Sequence, residues 1–301
     1  MRFARSPRQS QERSVLSDSD LRHFGPRLAY WVILAVLLGG SLTMLFPLYW
    51  MVSSAFKPTV EIYKAPPTLW PAHPTAGTFS QALQIFNFGR YFGNSLVLTL
   101  GTLLCNLLVS SLAGYALAKL RPWGHKVILF LFLSTLMVPA QAYLIPQFLT
   151  VRSLPLLHLN LLDTPWAIWL PGAVSAFNIF LFKSFFEGIP EDLLEAARID
   201  GAGPMQIFRS IVLPLSRPVF GVVAIFAFTG SWNDFVWPLL VITNEKRQPL
   251  TVALYYLANV SNTPWNIVMA VMSLVVLVPI IVFLIFQRQI IRGISFSGLK
   301  G

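Results

Sequence analysis

The chain has 301 residues, of which 55% are hydrophobic and only 11% are charged, and its net charge is +10. Soluble domains carry about 25% charged residues, so the composition excludes a soluble globular protein and indicates an integral membrane protein. The basic residues lie between apolar runs, which argues against a nucleic-acid-binding protein. The single cysteine, Cys105, excludes a disulfide framework, and the four scattered histidines predict no metal site.

The N-terminal segment, residues 1–27, is polar and arginine-rich, and we expect it to be a disordered cytoplasmic tail. Six apolar stretches follow, each long enough for the ~20 residues that a helix needs to cross a bilayer. They cover about residues 28–56, 94–118, 127–150, 162–185, 219–243 and 266–286. Pro139 and Pro146 are expected to kink the third span. We therefore predict an all-α integral membrane protein with six transmembrane helices in residues 28–292.

The distribution of basic residues predicts the orientation in the lipid bilayer. Sixteen of the 22 lysines and arginines fall near the two termini or around the loops after the second and fourth spans. The other six fall in the loops after the first, third and fifth spans. Because cytoplasmic loops carry an excess of basic residues, both termini are predicted to be cytoplasmic.

The longest predicted cytoplasmic loop, residues 186–217, has the pattern of two short helices. Ala196 and Ala197 leave a surface with little side chain, where another backbone can approach closely. Gly201 stands where a helix that ends near Asp200 needs a left-handed residue. An amphipathic hairpin that only packs on the bundle is an equally good interpretation of the spacing alone.

The same loop resembles the signature loop of permease subunits in binding-protein-dependent ABC importers. That signature is E-A-A, three residues, G, nine residues, I, one residue and L-P. The matching residues are Glu195, Ala196, Ala197, Gly201, Ile211, Leu213 and Pro214. The segments "GNSL", "MVPAQ", "WNDFVWPL" and "QRQIIRGISFSGLKG" are similar to the carbohydrate-uptake branch of this family, in particular to its maltose-type second permease subunits.

The resemblance implies that the loop forms a coupling helix that docks on a cytoplasmic ATPase. The residues implied in this contact are Glu195, Ala196, Ala197, Arg198, Asp200, Gly201 and Ala202. ATP and Mg²⁺ would be bound by the ATPase. We expect no cofactor on this chain and no enzymatic activity of its own, because it has no phosphate-binding loop of the G-x-x-x-x-G-K-[ST] type.

Further partners follow from the same resemblance. They are two ATPase subunits, an extracytoplasmic solute-binding protein and a second permease subunit, which the resemblance favours as a different chain. The implied location is the cytoplasmic membrane of a bacterium or archaeon. The implied cargo is a sugar or a related polyhydroxylated solute.

Asp234 is an acidic residue well inside an apolar stretch, with Trp232, Asn233 and Trp237 beside it. Charge within a span is costly and by default indicates a functional site, and aromatic rings with polar neighbours suit a sugar. These four residues and Gln141 are therefore candidates for the solute path. Alternatively, the polar groups only hold the spans together.

The C-terminal tail, residues 293–301, contains three glycines and two serines and is too flexible to form a stable helix alone. Its similarity to the ending of maltose-type permeases implies that Gly298, Leu299 and Lys300 contact the ATPase subunits. A solvated chain end is the alternative.

Two other classes of protein compete with the importer permease. An ion-coupled secondary carrier or a channel needs ionisable residues in several spans, and only Asp234 is well placed. A membrane scaffold without a transport role leaves the signature loop unexplained.

Overall fold

The computed structural model describes residues 24–297, and within that range the secondary structure is entirely helical. The α-helices are α1 (Phe24–Ala55), α2 (Thr59–Ile62), α3 (Gly77–Ile85), α4 (Phe88–Tyr115), α5 (His125–Thr135), α6 (Ala140–Arg152), α7 (Trp166–Gly172), α8 (Ala176–Glu187), α9 (Glu191–Ile199), α10 (Pro204–Ile207), α11 (Leu213–Leu215), α12 (Arg217–Asn233), α13 (Val236–Val241), α14 (Leu250–Asn259) and α15 (Trp265–Ser297). Two π-helical turns, Ala116–Leu120 and Phe208–Val212, follow α4 and α10, and a 3₁₀ turn covers Glu245–Arg247.

The predicted all-α membrane architecture with up to six spans is confirmed. Three spans are single long apolar helices: α1, α4 with its π turn, and the apolar part of α15. Three bent helix pairs have the length and composition of a span when the two helices of each pair are counted together, which gives up to six spans. The bend is 105° between α5 and α6, 46° between α7 and α8, and 83° where the segment from Pro204 to Leu215 meets α12.

The third span is broken rather than kinked. Helix α5 ends at Thr135 and α6 begins at Ala140, directly after Pro139. A proline has no N–H to continue the hydrogen-bond ladder, and its ring clashes with the preceding turn, so a new helix begins there. Pro146 lies inside α6, which continues past it to Arg152.

The fifth span also differs from the continuous stretch 219–243 that we predicted. Helix α12 ends at Asn233, Asp234 is extended with φ −66° and ψ 130°, and α13 restarts at Val236. The Thr251 hydroxyl donates a 2.9 Å hydrogen bond to the carbonyl oxygen of Asp234. Thr251 belongs to α14, a helix of ten residues that is too short to cross a bilayer and that hydropathy therefore missed.

Both ends of the described range differ from the predicted boundaries. Helix α1 begins at Phe24, before the predicted start at Leu28. Helix α15 continues to Ser297, so residues 293–297 of the predicted tail are helical. They extend an existing helix and need no new nucleus, which offsets the cost of their glycine and serines. Residues 1–23 and the tail residues Gly298, Leu299 and Lys300 lie outside the described residues.

Hydrogen bonds at the two ends of α4 join segments that the basic residues predict to lie on the same side of the membrane. At one end, Lys119 after α4 donates a hydrogen bond to the carbonyl of Ile189 before α9. At the other end, the Asn94 amide at the start of α4 donates 2.9 Å hydrogen bonds to the carbonyls of Lys246 and Gln248. We call the first of these the coupling end, because it carries the loop with the E-A-A signature.

Candidate functional site

Helix α9 stands at the coupling end as a short amphipathic helix. Pro190 precedes it, and Glu191 and Asp192 place negative charge in its first turn, where the helix dipole is positive. On its inner side Leu194 is 0% exposed and belongs to an apolar cluster with Phe186 and Ile207. Burial of this one leucine fixes which side of α9 faces away from the bundle.

The C-terminus of α9 closes in a Schellman motif around Gly201. The N–H of Gly201 donates to the carbonyl of Arg198 at 3.0 Å, and the N–H of Ala202 donates to the carbonyl of Ala197 at 2.9 Å. Gly201 has φ 84°, the left-handed conformation that the sequence predicts. A Cβ at this glycine would have no heavy atom within 4 Å, so the backbone angle alone demands glycine.

Most of the predicted coupling residues lie on the surface. The exposed ones are Glu195, Ala196, Arg198, Asp200 and Gly201. Ala197 and Ala202 are half-buried and pack against the apolar cluster beneath α9. Of the two alanines, Ala196 alone therefore belongs to the exposed surface with little side chain. Adjacent residues of a helix point about 100° apart, so Ala197 faces the cluster instead.

An outward stripe of α9 was missed in the sequence. The stripe consists of three residues at i, i+4 and i+7, which are Asp192, Ala196 and Ile199. This spacing places them on one side of the helix, opposite Leu194. Ile199 is 86% exposed. Single apolar residues are common on protein surfaces, so Ile199 by itself does not mark a contact surface. The spacing alone would have revealed the stripe once Leu194 was assigned to the core.

A second candidate site is a cavity of about 920 Å³ between the broken helices. Its walls come from α4, α6, α7, α8, α12 and α13, together with the residues that link α5 to α6. Helices that stop and restart within a membrane protein are tolerated only where the freed backbone is covered by protein or lines a wet space. The three helix breaks around this cavity meet that condition.

The structure separates the predicted path residues into two groups. Gln141, Asp234 and Trp237 line the cavity. Trp232 lies elsewhere, in the apolar core, where its ring stacks on Phe228 with centroids 5.6 Å apart. Asn233 is exposed and outside the cavity. Neighbours in sequence diverge here because Trp232 and Asn233 still follow the helical rotation of α12, whereas Asp234 begins the extended break.

The cavity surface mixes apolar and polar side chains and carries little charge. Its polar side chains are Thr102, Asn106, Thr135, Gln141, Tyr143, Gln147, Ser175, Asn178, Ser231 and Asp234. Among the lining residues described, Asp234 is the single acidic one, and none is Lys, Arg or His. Asn106 and Asn178 are bonded to each other at 2.7 Å, so they brace α4 against α8.

Gln147 and Tyr143 are two of the cavity residues that sequence reasoning missed. Both follow Gln141 in α6, at i+2 and i+6, which are not the i+3, i+4 or i+7 positions of one helix face, so helical spacing from Gln141 gave no signal for them. The buried Trp237 provides a wall, and its indole N–H donates a 2.9 Å hydrogen bond to the carbonyl of Ala167 in α7. An aromatic plane beside amides and hydroxyls can bind a polyhydroxylated ring.

Comparison with known proteins identifies the family. Residues 110–296, which include the coupling-end loop and most of the cavity, match the family described as "Binding-protein-dependent transport system inner membrane component". The chain belongs to this family. It is an inner-membrane permease component, and the resemblance seen in the signature loop is confirmed.

Permeases of several uptake systems are similar over most of their length. The arabinooligosaccharides transport system permease protein of Bacillus subtilis (strain 168) is 34% identical over 266 residues, which are 87% of this chain and 92% of that protein. The sn-glycerol-3-phosphate transport system permease protein of Yersinia pestis bv. Antiqua (strain Antiqua) is 33% identical over 275 residues, 87% of this chain and 94% of that protein. The diacetylchitobiose uptake system permease protein of Streptomyces coelicolor is 32% identical over 265 residues, 87% of this chain and 86% of that protein.

A solved structure shares the fold of this permease. It is a crystal structure of a bacterial ABC transporter that imports the acidic polysaccharide alginate, and its chain aligns with a TM-score of 0.78 at 26% identity. The alignment covers 91% of this permease and 98% of that chain. Together with the family match, it decides for an importer permease over an ion-coupled carrier, a channel or a scaffold.

Proposed function

We propose that this permease moves an uncharged, polyhydroxylated solute, such as a short oligosaccharide, through the cavity between the broken helices. The observation that carries the proposal is the lining: amides, hydroxyls and aromatic rings with the single carboxylate of Asp234. Sugar hydroxyls need both donors and acceptors, and sugar ring faces pack on aromatic planes. An anionic solute would meet the Asp234 carboxylate with no basic residue among the described lining residues to offset the repulsion.

The solutes named for the relatives are all polyhydroxylated, which supports a polyhydroxylated cargo, but these solutes differ in charge. Arabinooligosaccharides and diacetylchitobiose are uncharged, whereas sn-glycerol 3-phosphate and alginate are anions. The cavity chemistry favours the first pair for this permease.

ATP hydrolysis is proposed to occur on a separate ATPase, which binds ATP and Mg²⁺, with two copies per transporter. Helix α9 would dock on it through its outward stripe, and the exposed Glu195 and Asp200 would pair with basic groups of the ATPase. The Schellman motif at Gly201 supports this role, because it makes the exposed end of α9 a defined shape.

The remaining partners complete the proposed assembly: a solute-binding protein outside and a second, different permease subunit. Both termini would be cytoplasmic, and Gly298, Leu299 and Lys300 would contact the ATPase subunits. Deletion of residues 298–301 should then lower coupled ATP hydrolysis while membrane insertion stays intact.

Orientation can be tested with single cysteines in a Cys105→Ala background. Cysteines at Ala76 and Asn262, both exposed in the structure, should react with a membrane-impermeant thiol reagent on intact cells. A cysteine at Ser17 should react only after lysis. Labelling of Ser17→Cys on intact cells would reverse the orientation.

The cargo can be tested with the complete transporter in proteoliposomes. The permease is reconstituted with its cognate second permease, ATPase and binding protein, and uptake of arabinotriose, diacetylchitobiose, sn-glycerol 3-phosphate and alginate oligomers is measured. ATP-dependent uptake of an uncharged sugar alone is the expected result. Uptake of an anion alone would overturn the assigned charge, and ATP-dependent uptake of none of them by an intact complex would overturn the sugar assignment.

A further inference from the structure

The C-terminal end of α4 holds the coupling-end loop at two points, one on each side of α9. Lys119 bonds to the chain where it enters α9, and Tyr115 bonds to the chain just after it leaves α9. Both residues stand at the π-helical turn that ends α4. Such turns are rare and are found frequently at functional sites.

Lys119 is a buried cation with two hydrogen-bond partners. Its side chain is only 2% exposed, and its Nζ donates to the carbonyl of Ile189 at 2.7 Å and to Glu191 Oε2 at 3.1 Å. The other oxygen of Glu191 lies 3.4 Å from the guanidinium of Arg198 in the last turn of α9. The ammonium group therefore reaches the start of α9 directly and its end through Glu191.

Tyr115 fixes the chain beyond Gly201. Its hydroxyl donates a 3.2 Å hydrogen bond to the carbonyl of Pro204, the first residue of α10. Its buried ring packs on Phe208 with ring centroids 5.2 Å apart. The hydroxyl and the ring thus hold two successive parts of the loop against the same turn of α4.

These bonds differ in kind from the rest of the contact between α9 and the bundle. Leu194 makes an apolar contact, which has no direction and tolerates sliding. A charge-assisted hydrogen bond fixes both distance and direction, and a lysine buried to this degree is costly to separate from its partners. The end of α4 is therefore obliged to move when the start of α9 moves.

Helix α4 continues from this end to the cavity. Thr102 and Asn106 in its middle line the cavity, and Asn94 near its start bonds to the loop before α14. We propose that Lys119 and Tyr115 are positioning residues that make α4 follow the coupling-end loop, so that movement of α9 reaches the cavity. The inference rests on the proposed docking of α9 on an ATPase.

The test compares ATP hydrolysis with solute uptake in the complete reconstituted transporter. The variants are Lys119→Met, Lys119→Arg, Tyr115→Phe and Glu191→Gln. Lys183→Met is the matched control, because Lys183 forms a 2.9 Å ion pair with Glu187 at the same end of the bundle but within α8 alone. Phosphate release from MgATP is measured with and without the cognate binding protein loaded with the sugar that the wild type imports.

Lys119→Met should keep its ATPase partner and its basal ATP hydrolysis, but the amount of sugar imported per ATP hydrolysed should fall at least ~5-fold. A fold-change of this size corresponds to the low end of typical coupling free energies between two sites. Lys119→Arg should restore part of the sugar imported per ATP hydrolysed, and Lys183→Met should leave this ratio unchanged. A loss of assembled complex in proportion to uptake, with an unchanged ratio of sugar to ATP, would show a merely structural role and overturn the inference.

Two further variants, Tyr115→Phe and Glu191→Gln, test the same inference if Lys119→Met does not insert into the membrane. Each removes one bond and keeps the shape of the side chain, and each should lower the same ratio. Full coupling in both variants would overturn the inference alone. Absence of binding-protein-stimulated hydrolysis in the wild-type complex would instead overturn the proposed coupling to an ATPase.

Discussion

The coupling-end loop and the cavity share α4 and α8, yet the two regions are held together in opposite ways. Around the loop, Leu194 and Val212 are fully buried, and the Schellman motif satisfies the carbonyls at the end of α9. Around the cavity, α5 and α6 diverge by 105° and α12 is interrupted at Asp234. One region is closed by packing, and the other is held open by breaks in its helices.

This difference fits the roles that we propose for the two regions. A helix surface that transmits movement from a partner protein must be rigid, and dense packing with directional bonds makes it rigid. A passage for a polar solute needs polar groups within the membrane, and broken helices supply them only where protein or water covers the freed backbone. Damage to the stiff region should therefore affect transport of every solute, and damage to the passage should depend on the solute.

The largest effect is expected from Gly201→Val. Valine at φ 84° is strained, and a cost of roughly 1–2 kcal/mol at a left-handed position would reshape the exposed end of α9 and lower uptake by ~10-fold or more. Gly201→Asn is the control, because asparagine tolerates this conformation better. Uptake by both variants at the wild-type rate, with normal amounts of protein in the membrane, would show that this end of α9 has no part in docking.

Asp234→Asn should have a smaller effect that acts on the passage. A hydrogen bond to a charged acceptor exceeds one to a neutral acceptor by about 1 kcal/mol, so uptake of an uncharged sugar should fall about 5-fold with assembly unchanged. Asn233→Ala is the matched control, since Asn233 is adjacent in sequence but outside the cavity. An equal loss in both variants, or a parallel loss of assembled complex, would assign Asp234 a structural role.

Features encoded by local sequence were predictable, and features that depend on distant partners were not. Gly201 could be predicted because a left-handed helix end depends on the adjacent residues alone. The number of spans could be predicted because hydropathy over ~20 residues is a strong signal. The break at Asp234 escaped prediction because the hydroxyl that covers its carbonyl belongs to Thr251, 17 residues further along the chain.

Lys119 shows the same limit at the coupling end. In the sequence it is one of several basic residues after the second span, which explains it as an orientation signal. Its burial depends on the carbonyl of Ile189, 70 residues away in sequence, and on Glu191 beyond it. Charge patterning predicted the side of the membrane on which Lys119 lies relative to the loop, but it gave no sign of the contact.

Gly114→Ala tests how tightly α4 packs on α8, and its effect should appear in stability more than in transport. An added Cβ would lie 2.7 Å from the Cβ of Phe182 and 3.0 Å from the backbone N of Lys183, so the two helices must separate. Such overpacking costs about 1–3 kcal/mol, which should lower the melting temperature in detergent. Gly93→Ala is the control on the same helix, where a Cβ meets nothing within 4 Å. Equal melting temperatures would show that α8 can yield at this contact.

The smallest effect concerns the pH dependence of the link between α4 and α9. The hydrogen bond from Lys119 holds the pKa of the Glu191 carboxyl below its ordinary value, and the charges of Lys119, Arg198 and Arg121 act in the same direction. A carboxyl with a lowered folded-state pKa stabilises the protein above its unfolded pKa, and the contribution disappears as pH falls through the folded value.

The difference in melting temperature between the wild type and Glu191→Gln should therefore stay constant from about pH 8 to pH 5.5 and narrow only below about pH 4.5. Glu187→Gln, which alters an ion pair within α8 alone, should shift the melting temperature less. A difference that already changes between pH 8 and pH 6 would contradict this assignment. In that range a carboxyl held by a lysine stays ionised, so the change would have to come from another group.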